Sequence, residues 1–205
     1  MDKREDFKNS YYNNFNKLFN ISESEFMSYY DETKYGGYPE EPGGSIWDSE
    51  GKSIYVLIRI LKPKRILEIG NYLGKSTNHI LQAIEMNTFG SVDLVDIFDR
   101  LEYDKLHNSK FNRIIDDSLN FLNSKLSYDL IIQDGCHEYE HVKSELGLIL
   151  KNNKSNYVIW GHDYFSVVPN VCEVARAYNE LKSEFVEFAP MKDSVSNCGF
   201  IIVKK

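Results

Sequence analysis

The sequence predicts an α/β protein built on a doubly wound, mostly parallel seven-stranded sheet, with a C-terminal antiparallel hairpin and an N-terminal helical cap. Short apolar runs alternate with helical patterns from residue 53 onwards, which is typical of parallel βαβ units covered on both faces. The last two apolar runs, 185–188 and 200–203, are suited to pair as the hairpin. The length of 205 residues is about that of one such domain.

The cap is predicted from the first third of the chain. Residues 1–33 have the pattern of one or two helices, and the second begins at an N-cap box, SESE, from Ser22 to Glu25. Residues 34–51 are rich in glycine and proline and predict an irregular loop, which also carries Tyr35, Tyr38 and Trp47. We therefore expect a cap over residues 1–52 and a ligand-binding domain over residues 53–205.

The elements of the larger domain follow one another in regular order. Apolar runs predict strands at 65–69, 91–97, 111–115, 128–133 and 157–161. Helical periodicity predicts helices at 53–61, 75–85, 118–126, 138–150 and 171–182.

Composition excludes several classes of protein. A net charge of −7 argues against a nucleic-acid-binding module, which more often shows a basic face. The N-terminus has no apolar signal region, and no run approaches 18 apolar residues, so we expect no membrane contact. The three cysteines, Cys136, Cys172 and Cys198, are odd in number and lack CxxC spacing, which favours free thiols and a cytoplasmic protein.

The first strand of the sheet ends in a glycine turn, RILEIGNYLGKST. In a Rossmann-like sheet, ligands bind at the carboxyl ends of the strands. Gly70 and Gly74 are one residue too close for a P-loop, and Tyr72 replaces the glycine that a pyrophosphate requires, which argues against NAD and FAD. The turn suits a ligand without phosphates, such as S-adenosylmethionine. Glu68 is either an anchor near this cationic ligand or a buried acid bonded to backbone amides, and both roles are compatible.

The next two strand ends carry acids that suit a nucleoside. Asp96 closes the second strand, 26 residues after Gly70, near the offset expected of a ribose-binding acid, and Asp99 is its rival. Asp117 and Ser118 follow the third strand and either cap the next helix or meet the adenine amine.

Strands four and five deliver a second group of polar residues. Asp134 follows one strand and His162–Asp163 the other, a set suited to magnesium or manganese. The alternative is that Asp134 caps a helix and His162 is a satisfied buried histidine. His137 is a candidate general base, whereas Cys136 lacks a base partner and is not expected to be a nucleophile.

Together these motifs resemble the class I S-adenosylmethionine-dependent methyltransferases over roughly residues 53–178. The nearest subgroup is the small methyltransferase-domain family that includes macrocin-type O-methyltransferases. RILEIGNYLGKST resembles the cofactor turn of that family, LVDIFD its ribose-binding acid, DGCHEYEHVKSEL its DGxHxY signature, and VIWGHDY its later strand.

The resemblance implies roles for individual residues. A metal site would comprise Asp134, His162 and Asp163, and Asp134, His137 and Asp163 would be catalytic. By resemblance, the cofactor site would be lined by Gly70, Tyr72, Ser76, Asp96, Asp117 and Ser118. The full predicted cofactor-binding set also includes Glu68, Asn71, Gly74 and Asp134 from the same strand ends. At the position of Cys136, some members carry an acidic residue that acts as the general base. At the position of His162, some carry an acidic residue that binds the metal. These two differences leave the requirement for magnesium open.

The function that follows is methyl transfer from S-adenosylmethionine to a hydroxyl of a small molecule or sugar. The loop between Tyr35 and Trp47 would close over the acceptor. The alternative is a methyltransferase-fold binding or assembly module without turnover, for which Cys136 would mark a lost base. The tyrosine-rich N-terminal segment suits a lid or a homodimer contact.

Overall fold

A computed structural model describes residues 2–33, 46–103, 106, 111–124, 126–154, 156–165, 173–193 and 199–204. Its seven strands are β1 Arg65–Ile69, β2 Ser91–Asp96, β3 Phe111–Ile115, β4 Leu130–Gln133, β5 Tyr157–Gly161, β6 Glu187–Pro190 and β7 Phe200–Lys204. Its helices are α1 Lys3–Phe19, α2 Glu23–Glu32, α3 Asp48–Leu61, α4 Lys75–Asn87, α5 Ser118–Leu122, α6 Tyr139–Asn152 and α7 Val174–Leu181, with a 3-10 turn at Lys182–Glu184.

The strands form one sheet in the order β3-β2-β1-β4-β5-β7-β6. The first five strands are parallel, and β7 is antiparallel to both β5 and β6. The predicted α/β class, the mostly parallel sheet and the C-terminal hairpin are confirmed.

Helices cover both faces of the sheet. Alternate strand residues, such as Ile66 and Leu67, point to opposite faces, because side chains alternate along a strand. Ile66 belongs to a core shared with α1, α2, α3 and α4, whereas Leu67 belongs to a core shared with α5, α6 and α7. The N-terminal helices therefore pack into the same core as α3 and α4.

Several predicted bounds change. The helix expected from residue 53 begins at Asp48, so the proposed boundary between residues 52 and 53 falls inside α3. The apolar pattern missed this first turn because its residues are polar. Asp48 and Glu50 are favourable there, since negatively charged side chains interact favourably with the positive N-terminal end of the helix dipole.

Other elements are shorter or longer than predicted. The helix expected at 118–126 ends at Leu122, β2 ends at Asp96 and β4 begins at Leu130, whereas α4 extends to Asn87 and α6 covers Tyr139–Asn152. The start of the helix predicted at 171–182 lies outside the described residues, as do Tyr35, Tyr38, Cys172 and Cys198. No helix in the described part of the chain is long and apolar enough to cross a membrane.

Candidate active site

A cavity of about 830 Å³ lies at the carboxyl ends of β1, β2, β4 and β5. Its size falls within the usual range of small-molecule sites. The residues before and in the first turn of α3 also reach it. Among the residues that line it are Trp47, Glu50, Gly70, Asn71, Tyr72, Lys75, Ser76, Asp96, Arg100, Asp117, Ser118, Asp134, Cys136, His137, His141, His162 and Asp163.

The glycine turn after β1 is shaped by close contact with β4. Gly70 has a φ of +78°, and a Cβ there would lie 2.2 Å from the backbone oxygen of Asp134. Glycine is required because neither the backbone angle nor the space accommodates a side chain. Tyr72 also has a positive φ, +42°. The turn thus brings the ends of β1 and β4 together.

Asp96 holds this turn in place. One carboxylate oxygen, Oδ2, accepts hydrogen bonds from the backbone amides of Asn71 at 3.0 Å and Tyr72 at 3.1 Å. The other oxygen, Oδ1, accepts from the Phe98 amide at 3.1 Å. Its rival Asp99 is bonded to Tyr103 and does not line the cavity. Asp96 is therefore the acid of β2 that meets the cavity.

The Asn71 side chain is the clearest sign of a ligand. It is 2% exposed and lines the cavity, yet neither its Nδ2 nor its Oδ1 has a hydrogen-bond partner among the residues that the structure describes. A buried amide without partners is costly, so its donor and acceptor are suited to a bound molecule. Lys75 and Ser76 at the start of α4 flank it on the cavity wall. The sequence analysis did not single out Lys75.

Glu68 and Gly74 do not line the cavity, contrary to the predicted cofactor-binding set. Glu68 is fully buried and accepts a hydrogen bond from Thr77 Oγ1 at 2.6 Å. Burial raises the pKa of Glu68 to about 7, against the opposing effect of hydrogen bonds from Ser76 and Thr77. Gly74, with a φ of +97°, is the N-cap of α4. Both residues therefore contribute to the structure of the turn without lining the cavity.

The turn after β3 also lines the cavity. Asp117 caps α5 by accepting from the Leu119 amide at 2.8 Å. Ser118 Oγ donates to the buried Glu145 and lies 3.0 Å from His141 Nε2. The hydrogen bond to Glu145 raises the pKa of His141. His141 also lines the cavity.

Asp134, His162 and Asp163 form a compact cluster at the ends of β4 and β5. Each offers one potential metal-binding atom, and these atoms lie within 4.8 Å of one another. His162 Nδ1 is 3.2 Å from Asp134 Oδ1 and 3.2 Å from Asp163 Oδ2. His137 Nε2 lies 3.0 Å from Asp163 Oδ2. The predicted metal-site and catalytic residues thus meet at one place.

The carboxylates of the cluster control the charge of its histidines. The carboxylates of Asp134 and Asp163, 3.8 Å and 3.0 Å from His137 Nε2, raise the pKa of His137 to about 10. Burial acts to lower the pKa of His162, but Asp134 and Glu50 outweigh it and raise that pKa well above its usual value. At neutral pH His137 is protonated in this arrangement, so it donates a proton or a positive charge rather than accepting a proton.

Glu50 is the residue of this cluster that the sequence analysis missed. Its side chain is 1% exposed, and Oε2 lies 2.9 Å from His162 Nε2. The same oxygen accepts a hydrogen bond from the Trp47 amide at 2.7 Å. The only available signal was the acidic first turn of a helix, and that turn had been assigned to a loop.

Comparisons with known proteins agree with this fold. A family model described as a methyltransferase domain matches residues 67–164, just under half of the chain. The matched segment contains the glycine turn, Asp96, the Asp134 segment and Asp163. A search of curated protein sequences finds no match.

Solved structures with the same fold include methyltransferases of more than one type. An O-methyltransferase from Bacillus cereus in complex with SAH has 19% identity and a TM-score of 0.62, with 94% of this chain and 96% of that chain covered. The O-methyltransferase TomG from Streptomyces achromogenes, in complex with SAM, has 14% identity and a TM-score of 0.56, covering 100% and 99%. The N-methyltransferase NodS from Bradyrhizobium japonicum has 14% identity and a TM-score of 0.54, covering 76% and 93%.

The chain shares its fold with solved methyltransferase structures, and its strand-end segment matches a methyltransferase domain. The family match over residues 67–164 confirms the resemblance that the strand-end motifs predicted.

Proposed function

We propose that this protein transfers a methyl group from S-adenosylmethionine to a hydroxyl of a small molecule or sugar. The observation that carries the proposal is the unpartnered, buried Asn71 amide in the same cavity as the Asp134 cluster. One end of the cavity then offers groups for a polar cofactor, and the cluster offers groups for an acceptor. The Bacillus cereus and Streptomyces achromogenes structures are described as O-methyltransferases, which supports an oxygen acceptor.

The cofactor would lie along the ends of β1, β2 and β3. Asn71, Lys75 and Ser76 are placed to bind its amino-acid end, because they combine amide, positive and hydroxyl groups. A carboxylate has about four acceptor positions. Asp96 uses three of them on backbone amides, so it retains capacity for a ribose hydroxyl. Asp117 and Ser118 lie at the end of the cavity that would hold the adenine.

The chemistry requires an acceptor oxygen aligned with the bond to be broken. The acceptor oxygen would form a bond to the methyl carbon in line with the carbon–sulfur bond that breaks, and S-adenosylhomocysteine would leave as a neutral thioether. The hydroxyl proton would pass to a carboxylate of Asp134 or Asp163 and from there to water. Asp134 and Asp163 are placed to orient an acceptor hydroxyl, and alignment of this kind accounts for a large part of enzymatic acceleration. The protonated His137 would stabilise negative charge on the acceptor oxygen.

A divalent metal ion also fits the cluster. Asp134, His162 and Asp163 supply two oxygen donors and one nitrogen donor at mutually compatible distances. Such an ion would act as a Lewis acid toward the acceptor oxygen. The exposed fractions of the three side chains, 13–18%, leave a face open to the cavity.

The test is turnover with pools of sugars and phenols, with S-adenosylhomocysteine and methylated acceptor as readouts. We expect product with the wild-type protein and a loss of at least tenfold in Asp134→Asn, which removes a charge from the cluster. Binding of S-adenosylmethionine without product from any pool would favour the binding module instead. Equal turnover by the wild type and Asp134→Asn would contradict the assigned site.

A further inference from the structure

Glu50 reaches the cluster from a different part of the fold. Asp134, His137 and Asp163 follow strands of the sheet, whereas Glu50 lies in the first turn of α3. Its side chain is 1% exposed and lines the cavity, and its Oε1 has no hydrogen-bond partner in the described part of the chain. Burial of a carboxylate is costly unless a positive group compensates for it. The group at ion-pair distance is His162, with Nε2 at 2.9 Å.

The ring of His162 is fixed on two sides. It stacks on Trp160, with ring centroids 5.8 Å apart and planes 23° from parallel. Trp160 itself donates from Nε1 to Ser53 Oγ on α3 at 3.1 Å. With Glu50 beside Nε2, the other nitrogen, Nδ1, faces the two carboxylates of Asp134 and Asp163 at equal distances of 3.2 Å.

Neither nitrogen of His162 makes a hydrogen bond of acceptable geometry with the described residues, although each lies close to carboxylate oxygens. Nδ1 lies between the carboxylates of Asp134 and Asp163, which could share a metal ion with it. A metal ion would displace the proton from Nδ1, while the negative charge of Glu50 favours retention of the proton on Nε2. Histidines that bind metals are commonly oriented by a carboxylate on their other nitrogen in this way.

We propose that Glu50 is a positioning residue that directs Nδ1 of His162 into the Asp134–Asp163 cluster and gives it a preference for a first-row transition ion over magnesium. The nitrogen donor is the cause of the preference, since imidazole suits such ions whereas magnesium favours oxygen donors. The inference deepens the proposed function because it names the kind of ion and the residue that prepares its site.

The test is a titration with cobalt(II), followed by visible absorption, and with magnesium in competition. We expect the wild-type protein to bind cobalt at least tenfold more tightly than magnesium. Glu50→Gln keeps an oxygen for the Trp47 amide but removes the charge beside His162. It should weaken cobalt binding by about 10- to 100-fold and change the absorption bands, as carboxylates behind metal-binding histidines typically do.

A matched control is Glu32→Gln, which removes a carboxylate bound to Tyr55 and Arg59 away from the cavity. It should leave the cobalt affinity and spectrum unchanged. Glu50→Asp, which restores the charge at a shorter reach, should recover part of the affinity. Circular dichroism establishes that each variant is folded.

Three results would overturn the proposal. These are a Glu50→Gln variant with wild-type affinity and spectrum, a wild-type protein that binds magnesium as tightly as cobalt, and a wild-type protein that binds neither. S-adenosylmethionine binding, measured separately without metal, distinguishes the two proposals. If the protein binds cofactor but the cobalt result fails, only the role of Glu50 falls. If the cobalt result holds without cofactor binding, only the proposed function falls.

Discussion

At the scale of the residue, Glu68 shows how a single buried acid acquires a structural role. It occupies β1 on the face that packs against α4, fully buried, with Thr77 as a hydrogen-bond donor. The sequence analysis left two roles open for it, and the structure favours the buried acid, since Glu68 does not line the cavity. Its pKa is raised to about 7, so the folded protein holds this proton more tightly than the unfolded chain does.

The raised pKa of Glu68 predicts a pH-dependent stability. Its stabilising contribution is complete below about 4.5, the ordinary pKa, and is lost as the pH rises through about 7. The difference corresponds to about 3 kcal/mol of unfolding free energy. Glu68→Gln removes this titration while keeping an oxygen for Thr77. From about pH 5 to about pH 8, urea unfolding should therefore show a smaller loss of stability in the variant than in the wild type.

The wild type must be compared with Glu68→Gln because folding lowers the pKa of His79, whereas it raises the pKa of Glu68. Burial lowers the pKa of His79 to about 3, so its contribution is present above about 6.5 and decreases as the pH falls. That effect is common to the wild type and Glu68→Gln and cancels in their difference. Identical pH dependence in the two proteins would show that Glu68 is not held as the structure indicates.

At the scale of the element, α3 connects the cap, the core and the site. Its apolar face is buried against the sheet and α4, while its first turn delivers Glu50 to the cavity. Its contact with α4 is tight at Gly51, where an added Cβ would lie 2.3 Å from Cδ2 of His79. The His79 ring is buried and bonded through Nδ1 to Thr33 at 3.0 Å, which limits its movement.

We therefore predict that Gly51→Ala destabilises the protein. Alanine favours a helix over glycine by about 1 kcal/mol, but overpacking of a core costs about 1 to 3 kcal/mol. The thermal midpoint should fall, and differential scanning calorimetry measures it. Gly147→Ala is the matched control, because Gly147 also lies inside a helix but a Cβ there meets nothing within 4 Å. It should raise stability by about 1 kcal/mol. An increase in both variants would contradict the close contact between α3 and α4.

The helix α3 also shows why the sequence analysis missed Glu50. Apolar periodicity marks the part of a helix that packs against a core, which is why residues 54–58 were found. It carries no information on a polar first turn whose side chain is stabilised by a residue 112 positions later, His162. Lys75 and His141 were not predicted as site residues for a similar reason, since only the folded sheet brings their helices to the cavity.

At the scale of the whole molecule, the order of the strands assembles the site. Because β1 lies between β2 and β4, and β4 beside β5, the chain brings Asn71, Asp96, Asp134 and Asp163 to one edge of the sheet. The alternation of strands and helices was sufficient to predict that the strand ends meet at one edge, since parallel strands place their carboxyl ends together. It did not predict the order of the strands in the sheet. The acceptor could not be predicted, because its pocket depends on side chains from loops and from the cap.

The measurement that tests this account most directly is calorimetric titration with S-adenosylmethionine. We predict that the wild-type protein binds it, and that Asn71→Ala weakens binding by about tenfold or more, since each lost hydrogen bond contributes about 1 kcal/mol. Asn179→Ala, on the exposed face of α7, should bind as the wild type does. An absence of binding by the wild-type protein, or equal affinity in Asn71→Ala, would contradict the assignment of this cavity to the cofactor.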